Sequence, residues 1–421
     1  MKRRDVIAGT AWAAALFGLP PARASGSRPL PPERLYQSDP EAYWARVREE
    51  QFLLAGWRAY LNTGTLGIAP RPVVEAVAEY VNRSAALNLE DYPRWGYETL
   101  EEVRQELAEL LGCRKEELAL THNATEAINT VANGLDLQPG DEVLLTNQEH
   151  PSGRCPWLQK QARFGIAVRE VNIPLPPASP EQLTDLLISA IGPRTRVLSF
   201  SGITSPTGLW FPVRRICEAA RARGVITLVD GAHMNGQVPL QLSELGCDFF
   251  AGSPHKWMFA PAGCGLLFGR EEMLDRLWVN VATGGWDNKK LKAARFMMVG
   301  TNNRAIIEGL VAGLRFLKEL GPERVYGRIH QLARRVFEQA RALPKVELLT
   351  PDNDAMFGGL VSIRIPGADV KPVLKLCRER RLWVLGSGER FRVATHIHVR
   401  PADIDAFFAA LREGLSLPAR G

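Results

Sequence analysis

Between residues 118 and 268 the chain alternates short apolar runs with stretches of helical periodicity, and that alternation leaves few folds open. The runs are Leu118–Thr121, Glu142–Thr146, Ala167–Asn172, Arg196–Ser201, Val225–Val229, Phe249–Ala251 and Gly265–Phe268. Segments such as Glu126–Leu135 and Val213–Arg223, patterned as helices, separate them. Short apolar runs flanked by turn residues read as buried strands, and strands joined through helices read as βαβ units. The expectation is an α/β fold built on a mostly parallel seven-stranded sheet. In such sheets ligands bind just beyond the carboxyl ends of the strands.

The 421 residues are enough for two domains. Helical patterning from Asn303 to Leu343, broken at Gly321-Pro322, leads into a smaller C-terminal α+β unit. That unit has strand-like Gly359–Ile365 and Phe391–Thr395 and helix-like Val370–Arg380 and Pro401–Glu413. The expected division is an export signal at 1–24, an arm and helix at 25–55, a large domain at 56–310 and a small domain at 311–421.

Lys2-Arg3-Arg4, the apolar run Val6 to Leu19 and the A-x-A site Ala22-Arg23-Ala24 have the form of a signal peptide. Its apolar run is too short to span a bilayer, so no membrane anchoring is expected once it is removed. The Arg3-Arg4 pair points to twin-arginine export and a periplasmic location, reached after folding in the cytoplasm. Half of the formal charge of +6 sits in this segment, which leaves too little for nucleic-acid binding. The six cysteines form no C-x-x-C and no metal-ligand spacing, and His396 and His398 lack a third ligand, so no metal is expected.

The chemistry concentrates where strands give way to loops. Leu228-Val229 runs into Asp230-Gly231-Ala232-His233, and Phe249-Phe250-Ala251 into Ser253-Pro254-His255-Lys256-Trp257. A buried lysine there can lose its proton and form a Schiff base, and a facing carboxylate can keep a pyridinium nitrogen charged. The pair suits a pyridine-ring cofactor held at both ends. His122-Asn123-Ala124-Thr125-Glu126 follows a strand and opens a helix, where free N–H groups and the helix dipole can bind a phosphate. Read alone, Thr125 also serves as an N-cap. His150 closes another strand and has either a structural role or a place stacked on an aromatic ring. Thr204, in Ser201-Gly202-Ile203-Thr204-Ser205-Pro206-Thr207-Gly208, lies in what is by itself only a loop.

Together and in this order, the segments resemble the class V aminotransferase family of fold-type I pyridoxal-phosphate enzymes, in its isopenicillin-N-epimerase-like branch. The resemblance spans roughly residues 55 to 415. It includes Tyr60-Leu61-Asn62-Thr63-Gly64-Thr65-Leu66-Gly67, Thr204-Ser205-Pro206-Thr207-Gly208, Phe296-Met297-Met298-Val299-Gly300-Thr301-Asn302-Asn303 and Phe391-Arg392-Val393-Ala394-Thr395-His396. It implies pyridoxal 5'-phosphate as cofactor, with Lys256 as the Schiff-base lysine and Asp230 as the partner of the ring nitrogen. It further implies His233 near the ring hydroxyl, His150 stacked on the ring, and a phosphate cradle of Ala124, Thr125, Ser253 and His255. Thr204 belongs to the expected cofactor set. Asn62 and Arg392 face the substrate, with Arg392 on its carboxylate. Thr301 would reach the phosphate of a neighbouring subunit, which implies a homodimer with shared active sites. Asn302-Asn303 stands where the family often has an Arg-Asp pair, which places a charged substrate contact there in doubt.

These roles imply an amino acid or amino-bearing peptide as substrate and chemistry through a Cα carbanion. Amino-group transfer in the periplasm is the expected outcome. Epimerisation or racemisation, β-elimination of a C–S bond, and a catalytically silent cofactor-binding protein are the alternatives. Cysteine desulfurases of the class need a loop cysteine, and the segment Val384 to Phe391 has none. Trp95, Tyr97, Arg154 and Trp257 could line the pocket or simply pack.

Overall fold

The computed structural model describes residues 28–86 and 95–416. The export segment expected at 1–24 lies outside them. Twelve strands form two sheets. They are β1 (Ala59–Leu61), β2 (Leu118–Thr121), β3 (Glu142–Thr146), β4 (Ala167–Val171), β5 (Thr195–Ser201) and β6 (Ile226–Asp230). Next come β7 (Phe249–Gly252), β8 (Gly265–Gly269), β9 (Glu347–Leu348), β10 (Leu360–Arg364), β11 (Leu382–Ser387) and β12 (Arg390–Ala394).

The larger sheet has seven strands in the order β2-β8-β7-β6-β5-β3-β4. Pairings from β4 through β3, β5 and β6 to β7 are all parallel, and β8 runs against both its neighbours. β3, β6 and β7 carry no exposed residue and β5 exposes only Arg196 near its start, as expected for strands covered on both faces, whereas β4 at the edge exposes Arg169 and Glu170. Parallel register places Asp230 beside Ser201 on one side and Ala251 on the other. Three strand ends therefore open together at one rim.

The smaller sheet, β1-β11-β12-β10-β9, has its own apolar core of Phe391, Val393, Val361, Ile363, Phe407 and Phe408 among others. Here the structure differs from the expected division at both ends. β1 lies inside the stretch assigned to the large domain, yet it pairs in parallel with β11 of the small sheet. The expected junction at 310/311 falls within helix Arg304–Leu320. That helix stays with the large domain because Leu310, Leu314 and Leu317 belong to the main core. The break comes at Gly321, whose φ of +86° suits glycine, followed by Pro322 at the first position of the next helix. Helix Pro322–Arg341 begins against the main core through Val325 and Ile329 and ends against the second through Val336 and Phe337. It is the strut between the two units.

The structure also contains helices Arg71–Ala86 and Glu101–Leu111 and strands β9 and β11, none of which the periodicity singles out. Among the described residues no helix is long and apolar enough to cross a membrane.

Candidate active site

The rim of the large sheet and the outer face of the small one enclose a cavity of about 410 Å³. Asp230 reaches it from the end of β6, and Lys256 from the short helix Pro254–Trp257 that follows β7. Arg392 enters from β12 of the small sheet. Most of the expected site residues meet here. Ala124, Thr125, Ser253 and His255 line one end, and His150 and His233 complete the wall.

The first of these groups forms a turn suited to an anion. Asn123 caps helix Ala124–Gly134 by accepting from the Glu126 N–H at 2.9 Å, and the Ala124 N–H donates to Ser253 Oγ at 3.1 Å. Thr125 Oγ1 donates to Ser152 Oγ at 2.8 Å, which brings two hydroxyls to the same helix start. β8 passes close beneath the turn: a Cβ on Gly265 would lie 2.4 Å from the Asn123 nitrogen. His255 is oriented by its Nδ1 against the Cys264 carbonyl at 2.7 Å.

Lys256 sits in a tight electrostatic setting. Burial pushes its ammonium down to about 8, Asp230 opposes that shift and Arg392 adds to it. Its Nζ is 3.3 Å from His233 Nε2. Behind the imidazole, Trp257 Nε1 donates to His233 Nδ1 at 3.3 Å. Burial, followed by Lys256 and Arg392, drives the His233 pKa well below its ordinary value. The ring is therefore neutral, and since Nδ1 accepts, its single proton resides on Nε2 and faces the lysine. Two donors cannot face each other favourably, so this tautomer favours the free amine of Lys256.

Asp230 is buried, and its Oδ1 accepts from the Ala232 N–H at 3.0 Å, which leaves Oδ2 for a ring nitrogen. Behind it lies Glu149, whose Oε2 accepts from Ser201 Oγ at 2.6 Å and whose Oε1 accepts from Thr146 Oγ1. Burial pushes the Glu149 carboxyl up to about 7, and Asp230 adds to the shift. His150 caps helix Pro151–Phe164, its Nδ1 accepting from the Ser152 N–H at 3.1 Å. Burial and Lys256 lower its pKa, so the ring stays largely neutral.

Arg392 is held by neutral acceptors. Nη1 donates to the Ser205 carbonyl at 3.0 Å and to Ser205 Oγ at 2.9 Å. Nη2 donates to Thr65 Oγ1 at 2.8 Å and to Asn62 Oδ1 at 3.2 Å. Among the described residues no carboxylate pairs with it, and burial lowers its pKa to about 10. The segment that brings in Asn62 and Thr65 lies against the lysine helix: Gly67 N–H donates to the His255 carbonyl at 2.9 Å, and a Cβ at Gly67 would sit 2.1 Å from the Lys256 carbonyl.

Three expected residues do not line the cavity. Asn62 reaches it only through its hydrogen bond with Arg392. Thr204 is fully buried and bonds Thr207 Oγ1 at 2.7 Å and the Leu209 N–H at 3.0 Å, so it holds the turn together and its neighbour Ser205 reaches the cavity. Thr301 is exposed, 3.1 Å from the Tyr97 hydroxyl, and does not line the cavity of its own chain. Asn302 bonds His122 and Asn303 caps helix Arg304–Leu320, so both have local structural partners. Trp95 is buried against His122, and Arg154 pairs with Glu170. Ser205, Thr65, Ser152 and Glu149 are the site residues that sequence reasoning missed. Among the described residues no cluster of His, Cys, Asp or Glu is placed to hold a metal.

A helix start suited to a phosphate, an amine whose pKa burial lowers and a buried carboxylate at the rim of the large sheet, faced by a guanidinium from the small one, fit pyridoxal phosphate and define a fold-type I pyridoxal-phosphate enzyme. The chain belongs to the class V aminotransferase family, whose model matches residues 59–405. It is 36% identical over 379 residues to the isopenicillin N epimerase of Streptomyces clavuligerus, covering 86% of this chain and 92% of the relative. It is 30% identical over 311 residues to a cysteine desulfurase of Klebsiella pneumoniae, covering 70% and 75%. Among solved structures, a variant of the cystine C–S lyase C-DES with glycine covalently linked to its PLP cofactor superposes with a TM-score of 0.74. That match has 26% identity and covers 84% of this chain and 96% of the other.

Proposed function

We propose that the protein removes and returns the Cα proton of an amino acid, free or within a larger molecule, as an epimerase or racemase. The observation that carries the reading is the meeting of Lys256, Asp230 and Arg392 in one cavity. Pyridoxal phosphate, when bound, supplies an electron-withdrawing ring that accommodates the electron pair left on Cα. Arg392 binds the substrate carboxylate by exchanging some of its bonds to Ser205, Thr65 and Asn62 for bonds to the acid, and so fixes the orientation of Cα. Lys256, whose amine loses its proton near pH 8 where an ordinary lysine holds it to above 10, takes the proton, and neutral His233 leaves that amine available. Asp230 would hold the ring nitrogen, and Ala124, Thr125, Ser253 and His255 would hold the phosphate.

The near full-length match to an isopenicillin N epimerase supports return of the proton to Cα. Amino-group transfer, expected from the sequence, uses the same residues and ends with the proton elsewhere. Sulfur transfer to a protein thiol finds no support, because none of the six cysteines lines either cavity that contains Arg392. Incubation of the holoprotein with single-enantiomer amino acids in heavy water tests the reading. Deuterium at Cα with inverted product, abolished by Lys256→Ala, is expected. A keto acid formed in step with loss of the cofactor aldehyde would replace it with amino-group transfer.

Twin-arginine export to the periplasm is part of the same proposal, and Arg3→Lys with Arg4→Lys should retain the protein in the cytoplasm. So is a homodimer in which Thr301 serves the neighbouring site, checked by light scattering and by activity rescue between Lys256→Ala and Thr301→Ala chains.

A further inference from the structure

A second cavity, about 350 Å³, adjoins the first and shares Thr65, His150, Ser205 and Arg392 with it. Its floor is one face of the small sheet. Alternation along β12 turns Phe391 and Val393 into the second core and leaves Arg390 and Arg392 on the opposite face. Register places Arg392 across from Ser362 and Leu385, and Arg390 across from Arg364 and Ser387. Ser362, Leu385, Ser387 and Arg390 all line this outer cavity, so a substrate whose carboxylate rests on Arg392 extends over them.

The guanidiniums on this face are treated differently by the fold. Arg364 donates to Glu389 at 2.9 Å and lies 3.6 Å from Glu347. Arg390 is exposed, and none of the ion pairs among the described residues includes it. It stands directly across from Arg364, whose charge Glu389 and Glu347 offset, and has no such partner of its own among the ion pairs of the described residues. Glu149, the acid on the cavity wall, is already engaged by Thr146 and Ser201. One residue, Phe391, separates Arg390 from Arg392 along the strand, roughly 7 Å between Cα atoms, close to the span of an amino acid with a second acid at the end of its side chain.

We propose that the substrate is a dianion, an amino diacid or an amino-bearing group with a second carboxylate, and that Arg390 is the specificity-determining residue for the distal acid. This rests on the reading of Arg392 as the anchor of the first carboxylate. A guanidinium presented to a carboxylate in a partly enclosed site is the geometry for a charge-assisted pair, and rejecting the neutral analogue follows from leaving that cation unpaired.

The test compares L- and D-glutamate and 2-aminoadipate with the neutral isostere glutamine, using the change in cofactor absorbance of the holoprotein to obtain Kd. Calorimetry with glutarate and with butyrate, which carry no amine, measures the same subsite independently of the cofactor. Diacids should bind wild type about tenfold tighter than glutamine, and Arg390→Gln should remove that margin while glutamine binding changes less than about twofold. Glutarate should lose affinity in Arg390→Gln, butyrate should not, and Arg390→Lys should restore part of the preference. Equal binding of glutamate and glutamine by wild type, or an unchanged preference in Arg390→Gln, would overturn the proposal and leave the Arg392 reading intact. If Arg392→Gln leaves both glutamine and glutamate binding unaltered, the Arg392 anchor is wrong and the dianion proposal falls with it.

Discussion

At the scale of single residues, the tautomer of His233 is the sharpest consequence of the geometry. The Trp257 indole N–H occupies Nδ1, so the imidazole proton points at Lys256. Trp257→Phe removes the donor, allows the other tautomer, and lets Nε2 accept from the lysine ammonium. Charged Lys256 is then favoured, and the pH midpoint for cofactor capture, expected to follow the Lys256 pKa of about 8 in the wild type, should move upward. A stopped-flow pH series on the apoprotein measures it, and an unchanged or lowered midpoint would contradict the relay. Residue types carried the site far in the sequence, because Asp230 and Lys256 need little more than strand ends to place them. Thr204 shows where that reasoning stops. In a loop without periodicity, which of two adjacent hydroxyls faces the cavity depends on turn geometry, and here it is Ser205. Glu149 gave no signal at all, since its setting joins Thr146, three residues before it, to Ser201 on a distant strand.

Among elements, the start of helix Ala124–Gly134 has two duties. It closes the helix and it faces the anion. Asn123→Ala removes the cap and should cost about 1 kcal/mol, read as a lowered Tm of the apoprotein, and should weaken cofactor affinity several-fold. Full loss of cofactor with no change in apoprotein Tm would mean that Asn123 binds the phosphate and does not merely cap. The strands of the large sheet were legible because each is an apolar run bounded by turn residues. β11 was not: its residues alternate between the core and an exposed face, with Trp383 and Leu385 outside, and that mixture blurs the pattern. β1, three residues long, is a strand only by virtue of its distant partner.

For the whole molecule, Glu149 ties stability to pH. Its folded pKa, about 7, lies above the ordinary carboxyl value of 4.5. The folded state therefore holds the proton more tightly, and that contribution is complete below about 4.5 and lost as pH rises through 7. Across this window it is worth on the order of 3 kcal/mol. Glu149→Gln cannot lose a proton, so its Tm relative to wild type should improve between pH 4.5 and pH 8. A constant difference across that range would show that Glu149 does not titrate there.

The parallel pairing of β1 with β11 has a consequence in time. Asn62 lies 330 residues before the Arg392 it contacts, and Thr65 lies 327 before it. During synthesis the large sheet and its phosphate turn can form long before residue 392 leaves the ribosome. The corner proposed to grip an acid cannot, because it joins the segment after the first strand in sequence to the last strand. A chain released early would keep much of its cofactor cavity and have no means of seizing a substrate.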